Sequence, residues 1–555
     1  MKINRALKSF TAMALSAILA FGAAGTAAAS TNTDNASAAE FSETEPDRAV
    51  AFPGADGAGK FATGGRGGEI YHVTNLNDSG TGSLRDAVSK GRRIVVFDVG
   101  GTINLKSDLS ISGNISVMGQ TAPGGAGVTV RNGKLAMAGD NIIVRYMTSR
   151  PGEKGSGEYD AWGGSKGSNS IIDHCSIGWA NDEQFGLYSS RNMTMQYSII
   201  GPANCLSTHS KGSHGFGPMF GAASNTWHHN LICHNMSRNF RGKVEREQPN
   251  DYVNNVVYGW GGQTAYGTFG HLNYVNNYFK KSISSRNGDN FGSLDSGSNY
   301  ETTKFFMEGN KMTDRKGNAA NPMSTNNWNG GLSLNRSLNY YESHYRASEH
   351  FPIISNGIDV SAAKNPESAD AAFNNVVSYA GAAVNLDSRN KIDAEVLNDA
   401  YTGSGSLSGG LENSKVTADV RSKYSIKYVN YDEYYPKSVL KKEIIDSDND
   451  GMPDDWEIAR GLNPNDSSDA NGYYIGGAYT NIEHYCNDLT VDSFPEGVVT
   501  LSPTLDELGA DYSKAIEDLN SLKLSKTKIS SADEISLPVS GSKFGSKISW
   551  SSSSD

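Results

Sequence analysis

Short strand-like pieces recur along the middle of this chain at intervals that an ordinary open sheet does not use. Anchored on Tyr146, Cys175, Tyr197, Asn230, Asn255, Asn277 and Asn310, they lie 29, 22, 33, 25, 22 and 33 residues apart. A unit of about 22 residues, lengthened by up to about 11, is too short for the four strands of a propeller blade but fits three short strands and three turns. One such coil cannot bury its apolar face alone. Successive coils must stack into a three-sheet parallel β-helix, with the insertions collected on one side. Repeated Asn at equivalent points predicts hydrogen-bonded side-chain ladders along the stack. The 62 glycines and a charged fraction of only 20% suit such a turn-rich β protein.

A solenoid needs a plug at its open end. Gly82-Ser83-Leu84-Arg85-Asp86 predicts a short helix with Ser83 as N-cap and Asp86 at the capping-box position, followed by a strand over Arg93–Asp98. Upstream, Gly54-Ala-Asp-Gly-Ala-Gly59-Lys60-Phe61 approaches a P-loop. Phe61 stands where a magnesium-binding Ser or Thr is required, and no apolar strand precedes it, so nucleotide binding is excluded. Residues 311–436 read as late coils and a segment packing back along the stack.

Lys2, Arg5 and Lys8, the apolar run Ala12 to Ala24, and Ala27-Ala28-Ala29 form a secretory signal peptide over 1–29, and residues 30–48 a disordered linker. The apolar run is too short to cross a membrane. Cys175, Cys205, Cys233 and Cys486 match no zinc spacing and are expected as buried thiols, with one disulfide left open. A net charge of −11 does not draw nucleic acid or an acidic polymer from a distance, so an anionic substrate must be held locally.

The local cations lie between Trp227-His228-His229-Asn230 and Tyr252-Val253-Asn254-Asn255. Arg238, Arg241 and Lys243 fall within six residues and repel one another. Either Glu245 and Glu247 neutralise them as a solvated loop, or they form a clamp for an anionic polymer with one arginine near the chemistry.

His-His-Asn, a short apolar run, Arg-x-x-Arg-Gly and an Asn-Asn strand together resemble the signature of the pectate lyase superfamily, polysaccharide lyase family 1, in its bacterial secreted multidomain form. The resemblance runs from about Phe52 to Asn487. It implies an all-β, right-handed, single-stranded parallel β-helix over 49–436 and cleavage of α-1,4-linked polygalacturonate by β-elimination, assisted by Ca2+. Carried onto this sequence, it makes Arg238 the catalytic base. Arg241, Lys243 and, in Lys211-Gly-Ser-His-Gly-Phe-Gly, Lys211 become substrate-binding cations. Phe240 replaces a frequent Pro, and Lys243 a frequent Arg, keeping charge but losing the bidentate fork. Asp160 in Tyr-Asp-Ala-Trp and Asp182 resemble the ligands of the cleft calcium. A second family Asp falls on Gly186; either Glu183 stands in for it, or water and substrate oxygens complete the calcium shell. Asp173 and His174 also invite a reading as a catalytic hydrolase pair, but they alternate along one strand so that only one faces out, and the resemblance makes them structural. An arginine base needs surroundings that disfavour its charge, which predicts an alkaline optimum.

By spacing alone, Asp446, Asp448, Asp450, Asp454 and Glu457 occupy EF-hand positions one, three, five, nine and twelve, with Gly451 at six and Met452 offering its carbonyl. This loop is expected to hold a structural calcium within a C-terminal segment over 437–492. Residues 493–555, with Ile535-Ser-Leu-Pro-Val and Lys547-Ile-Ser-Trp550, resemble the start of an immunoglobulin-like module without enough strands to close it. The expected partner is polygalacturonate, bound by a secreted monomer that does not engage nucleic acid or membrane; its tail is either the start of further domains in a longer chain or disordered. The alternatives are a lyase for methylated pectin or another uronate polymer, and a non-catalytic β-helix that binds carbohydrate.

Overall fold

The computed structural model describes residues 49–508 except 126, 154–156, 188, 245–246, 287–289, 295–300, 320–322, 334–341, 438, 474 and 476–477. The predicted signal peptide and linker, and most of the immunoglobulin-like segment, lie outside the described residues. The described chain packs as two compact units: residues 49–444 with 485–501, and residues 445–484 with 502–508.

The first unit is a parallel β-helix. Among the described residues its three sheets hold ten, nine and ten strands. One coil shows the path. Ile142–Arg145 lies in sheet A, Met147–Ser149 in sheet B and Trp162–Gly164 in sheet C, before Ser170–Asp173 returns to sheet A one level up. Stacking is parallel and in register, as in Ile143 beside Ile171 and Leu135 beside Trp162. Among the described strands of these sheets, only Leu440–Lys441 joins antiparallel, on the strand Val99–Asn104. The interior is apolar and aromatic, with Trp162, Trp227, Tyr252 and Tyr274 at 0 or 1% exposure. The N-terminal end is closed as expected. Ser83 caps the helix Leu84–Ala87 by accepting from the Asp86 amide, and Leu84 and Ala87 enter the core.

The turn from sheet A to sheet B is a single left-handed residue in successive coils: Tyr146, His174, Tyr197, His229, Asn254 and Asn276, with φ between 45° and 55°. The aromatic rings at this corner stack, Tyr146 on His174 at 5.0 Å, His174 on Tyr197 at 5.0 Å and Tyr197 on His229 at 4.9 Å. Tyr146 and Tyr197 are therefore corner residues, one position ahead of the level occupied by Cys175 and Asn230. Ser198 is the true counterpart of Asn230, whose Oδ1 accepts from its amide.

The predicted Asn ladder is present. Each Nδ2 donates to the Oδ1 of the next, through Asn230, Asn255, Asn277, Asn310 and Asn327 at 2.9–3.2 Å. Each Oδ1 also accepts a backbone amide from the preceding coil. All five are buried, so each side chain satisfies polar groups that water cannot reach. Asn277→Ala is expected to cost about 3 kcal/mol or more, because it strands the Asn255 amide and the Tyr252 carbonyl in the interior. A chemical-denaturation midpoint equal to wild type would contradict the role given to the ladder.

Asp173 and His174 do not alternate along a strand. The strand Ser170–Asp173 ends at Asp173, and His174 is the positive-φ corner; both side chains lie on the outer side of the coil, fully buried beneath Ser493–Phe494 and, through Gln196, the strap at Gly54. Asp173 pairs with Arg145 at 2.8 Å and with His174 at 2.8 Å, while His174 Nε2 lies 2.9 Å from the Ser493 carbonyl. Burial pushes the Asp173 carboxyl up, but His174 and Arg145 outweigh it and hold its pKa at about 2. A folded pKa below the unfolded one stabilises above the unfolded value, and that stability is lost as pH falls through the folded value. Wild type should thus lose about 2 kcal/mol between pH ~4 and ~2 that Asp173→Asn does not lose. Unfolding midpoints across that range test this.

The P-loop lookalike is a strap across the outer face of sheet A. The Ala58 amide donates to Thr226 and the Gly59 amide to Thr194. A Cβ on Gly59 would sit 2.1 Å from the Ser170 carbonyl oxygen, so close approach of backbones explains this glycine. The helices Ala369–Tyr379 and Lys391–Thr402 pack back along sheet B, with Phe373 against Tyr278 and Asp393 paired to Arg150. Cys175, Cys205 and Cys233 are buried free thiols, and Cys486 is buried as well.

Candidate functional site

The insertions that lengthen the coils sit mainly in the connections from sheet B to sheet C. Asp160 precedes the strand Trp162–Gly164, Asp182 and Glu183 precede Phe185–Leu187, and Arg238 precedes Arg241–Val244. Parallel stacking brings equivalent points of neighbouring coils to about 4.8 Å, so residues far apart in sequence converge at this edge. Carboxylate oxygens of Asp160, Asp182 and Glu183 lie within 4.8 Å of one another. Gly186, where the resemblance leads one to look for another Asp, lies in Phe185–Leu187 beside Gly163 and Met219.

The electrostatics of the three acids differ. Burial raises the Asp160 carboxyl to about 6, with Lys134 at 3.7 Å opposing and Asp182 reinforcing. Burial also acts to raise Asp182, but the hydrogen bond and charge of His214, with His209 and Arg238, pull it below the ordinary carboxylate range. Glu183 is nearly buried and ion-paired with Arg238. Three hard oxygen donors on separate positions suit calcium, which accepts six to eight oxygens in flexible geometry. Glu183 then serves two claims, one from Arg238 and one from a cation.

Arg238 is fixed on three sides. Its Nε donates to the Tyr266 hydroxyl at 3.0 Å, its guanidinium lies over the Phe216 ring at 4.4 Å, and Glu183 pairs with it. Its φ of 57° swings the side chain out of the strand path. Arg241 lies over the Tyr266 ring at 5.4 Å, and Lys243, two residues on, shares its outward face of sheet C. Of these cations Arg238 meets the acidic cluster, through Glu183; Glu245 lies outside the described residues. Lys211 is exposed in the connection 201–218, its amide donating to His209 Nδ1 at 3.1 Å.

Sequence reasoning missed His209 and His214. His214 Nε2 lies 2.8 Å from Asp182, the His209 and His214 rings stack at 3.9 Å, and His214 rests on Phe216 at 3.7 Å. Their signal was the pair of histidines flanking Lys211, which only the three-dimensional path joins to Asp182. Phe216 and Tyr266, which hold Arg238, carried no motif.

In the second unit, Asp446, Asp448 and Asp450 converge, and so do Asp450, Glu457 and Asp469. Both Asp448 oxygens, Asp450 Oδ2, both Glu457 oxygens and Asp469 Oδ1 are buried with no hydrogen-bond partner. Burial, reinforced by the neighbouring carboxylates, raises Asp450 to about 7, Glu457 to about 8 and Asp469 to about 6. Anions held this way without a counter-charge are costly, and an oxygen-preferring cation removes the cost. Asp454 differs from its expected place. Both its oxygens accept from Ser447, at 2.7 Å each, and it stands outside the converging groups.

No protein-family model matches the chain. It is 34% identical over 457 residues to a probable pectate lyase C of Aspergillus flavus and, to the same extent, to one of Aspergillus oryzae; each alignment covers 80% of this chain and 95% of the relative. A probable pectate lyase C of Neosartorya fischeri is 44% identical over 236 residues, 41% of this chain and 54% of the relative. These relatives are fungal, and the bacterial attribution finds no support among them. The crystal structure of jun a 1, the major cedar pollen allergen, has 18% identity and a TM-score of 0.41 over 57% of this chain and 90% of its own, too distant a likeness to carry an argument. Among the described residues, no helix is long and apolar enough to cross a membrane.

Proposed function

The chain belongs to the pectate lyase family, and we propose that it is a secreted enzyme that cleaves α-1,4-linked polygalacturonate by β-elimination, with Arg238 as base and calcium in the cleft. The observation that carries this reading is Arg238, held by Tyr266, Phe216 and Glu183 at the edge of three converging carboxylates. A groove for neutral sugar has no need of that juxtaposition of cation and acids.

The C5 proton beside a uronate carboxylate is weakly acidic, and its removal leaves charge on that carboxylate. Asp160, Asp182 and Glu183 would hold calcium, which supplies positive charge where that anion develops. Arg241, Lys243 and Lys211 bind the carboxylates of the polymer. Arg238, in its neutral form, takes the C5 proton. The C5–H electrons form the C4–C5 double bond, the C4–O bond breaks, and the departing oxygen takes up a proton. His214 is a positioning residue: its Nε2 orients Asp182. An activity optimum in acid would point to carboxylate hydrolysis rather than to β-elimination.

The loop Asp446–Glu457 is read as a structural calcium site, since no base or nucleophile stands among its converging acids. Asp446, whose oxygens accept the Asp450 and Gly451 amides at 3.1 Å, organises the turn. Asp446→Ala is expected to lower the thermal transition in calcium by several degrees while kcat of the folded enzyme stays within about twofold. Abolished turnover with an unchanged transition would overturn the structural assignment.

A further inference from the structure

We propose that Asp469, a residue outside the calcium motif, is a direct ligand of the cation in the Asp446–Glu457 loop and takes the place that Asp454 leaves. The proposal rests on the reading of that loop as a calcium site and extends it to a second turn of the chain. Asp469 opens the short 3-10 turn Asp469–Asn471, twelve residues past Glu457, and is 4% exposed. Its two oxygens have different tasks. Oδ2 accepts from the Asn463 amide at 3.0 Å, which fixes the side chain, while Oδ1 is buried without a partner and converges with Asp450 and Glu457.

The oxygens present suffice for one calcium. Asp448, Asp450 and Asp469 each bring an unpartnered carboxylate oxygen, and fully buried Glu457 brings two. With Asp446 and the Met452 carbonyl at motif positions one and seven, seven protein oxygens are available, within the six to eight that calcium takes. In an EF-hand, position nine commonly reaches the ion through water. Here Asp454 is engaged by Ser447, and a carboxylate from another turn stands in.

The consequence reaches beyond affinity. Asp469 accepts the Gly472 amide and the Asn481 side chain through its own carbonyl, at 2.7 and 2.8 Å. A cation on Asp469 therefore ties the Asn463–Gly472 turn and the start of the helix at Asn481 to the motif loop. Without it, five neighbouring carboxylates repel one another across that junction.

Asp469→Asn separates ligation from packing, because asparagine keeps an oxygen to accept the Asn463 amide. Amide hydrogen exchange over residues 463–472 of the full chain, titrated with calcium alone, reports occupancy. Asp469→Asn should raise the free calcium at half-protection at least about tenfold, Asp454→Asn less than about threefold, and Asp446→Ala should remove protection over the same range. In chelator, Asp469→Asn should exchange no faster than wild type, since it removes one repelling charge. Protection by Asp469→Asn at the wild-type midpoint, with Asp446→Ala still defective, would overturn the ligand while leaving the loop site standing. If Asp446→Ala also behaved as wild type, the loop reading itself would fail. Equally faster exchange by Asp469→Asn in chelator and in saturating calcium would make Asp469 a packing residue and refute the proposal.

Discussion

Replacing Arg238 by alanine should lower kcat on polygalacturonate by on the order of a thousandfold or more, within the range that a positioned general base contributes. Removing the guanidinium also leaves Glu183 nearly buried and without its ion pair, and it opens space over Phe216 and beside Tyr266. A stability loss could imitate a catalytic one. Arg238→Lys is the control: it keeps a cation near Glu183 but not the planar group aligned by Tyr266. The lysine variant should recover most of the thermal transition and little of the turnover. If lysine restored near wild-type kcat, Arg238 would act only as a charge, and the base would have to be sought elsewhere.

The second large effect is expected at Asp182. Asp182→Asn should raise the calcium needed for half-maximal activity at least about tenfold and lower turnover at limiting calcium by on the order of a hundredfold. Asp182 sits between Asp160 and Glu183 on one side and His214 and His209 on the other, so it is the acid that both groups share. His214→Ala should shift the calcium requirement in the same direction by a smaller factor, as loss of an orienting partner does. Excess calcium should rescue the His214 variant more fully than the Asp182 variant. Calcium titrations of initial rate would contradict the assignment of Asp182 if both variants matched wild type.

The solenoid was legible because its cause is local and repeated. Three short strands and a tight corner recur in each coil, and Asn at one corner position serves the coil on either side through a single side chain. Phase was harder to read than period. Tyr146 and Tyr197 have the aromatic look of strand residues, yet their positive φ makes them corners. For the same reason Asp173 and His174 cannot alternate: the strand stops between them.

The site was legible only where motif residues are adjacent in sequence. Asp182, Glu183, Arg238 and Arg241 fall in short recognisable strings. Their supports do not: Tyr266 follows Arg238 by a full coil, and His214 follows Asp182 through the longest insertion before Arg238. Such pairs meet because stacking aligns them, and insertions carry no periodicity from which to count. The calcium loop shows the same limit. The motif residues announce themselves by spacing, whereas Asp469 joins them from a turn whose sequence, Asn463-Pro-Asn-Asp466-Ser-Ser-Asp469, reads as a solvated loop. Its burial comes from folding alone.

The most direct test of the account follows the ultraviolet absorbance of unsaturated product while the full chain acts on polygalacturonate, first with calcium and then with excess chelator. Absorbance that grows steadily in calcium and stops on chelation is the predicted result, since only β-elimination leaves a C4–C5 double bond at the new end. Cleavage that yields saturated ends, or no product from pectins of any degree of esterification, would contradict it.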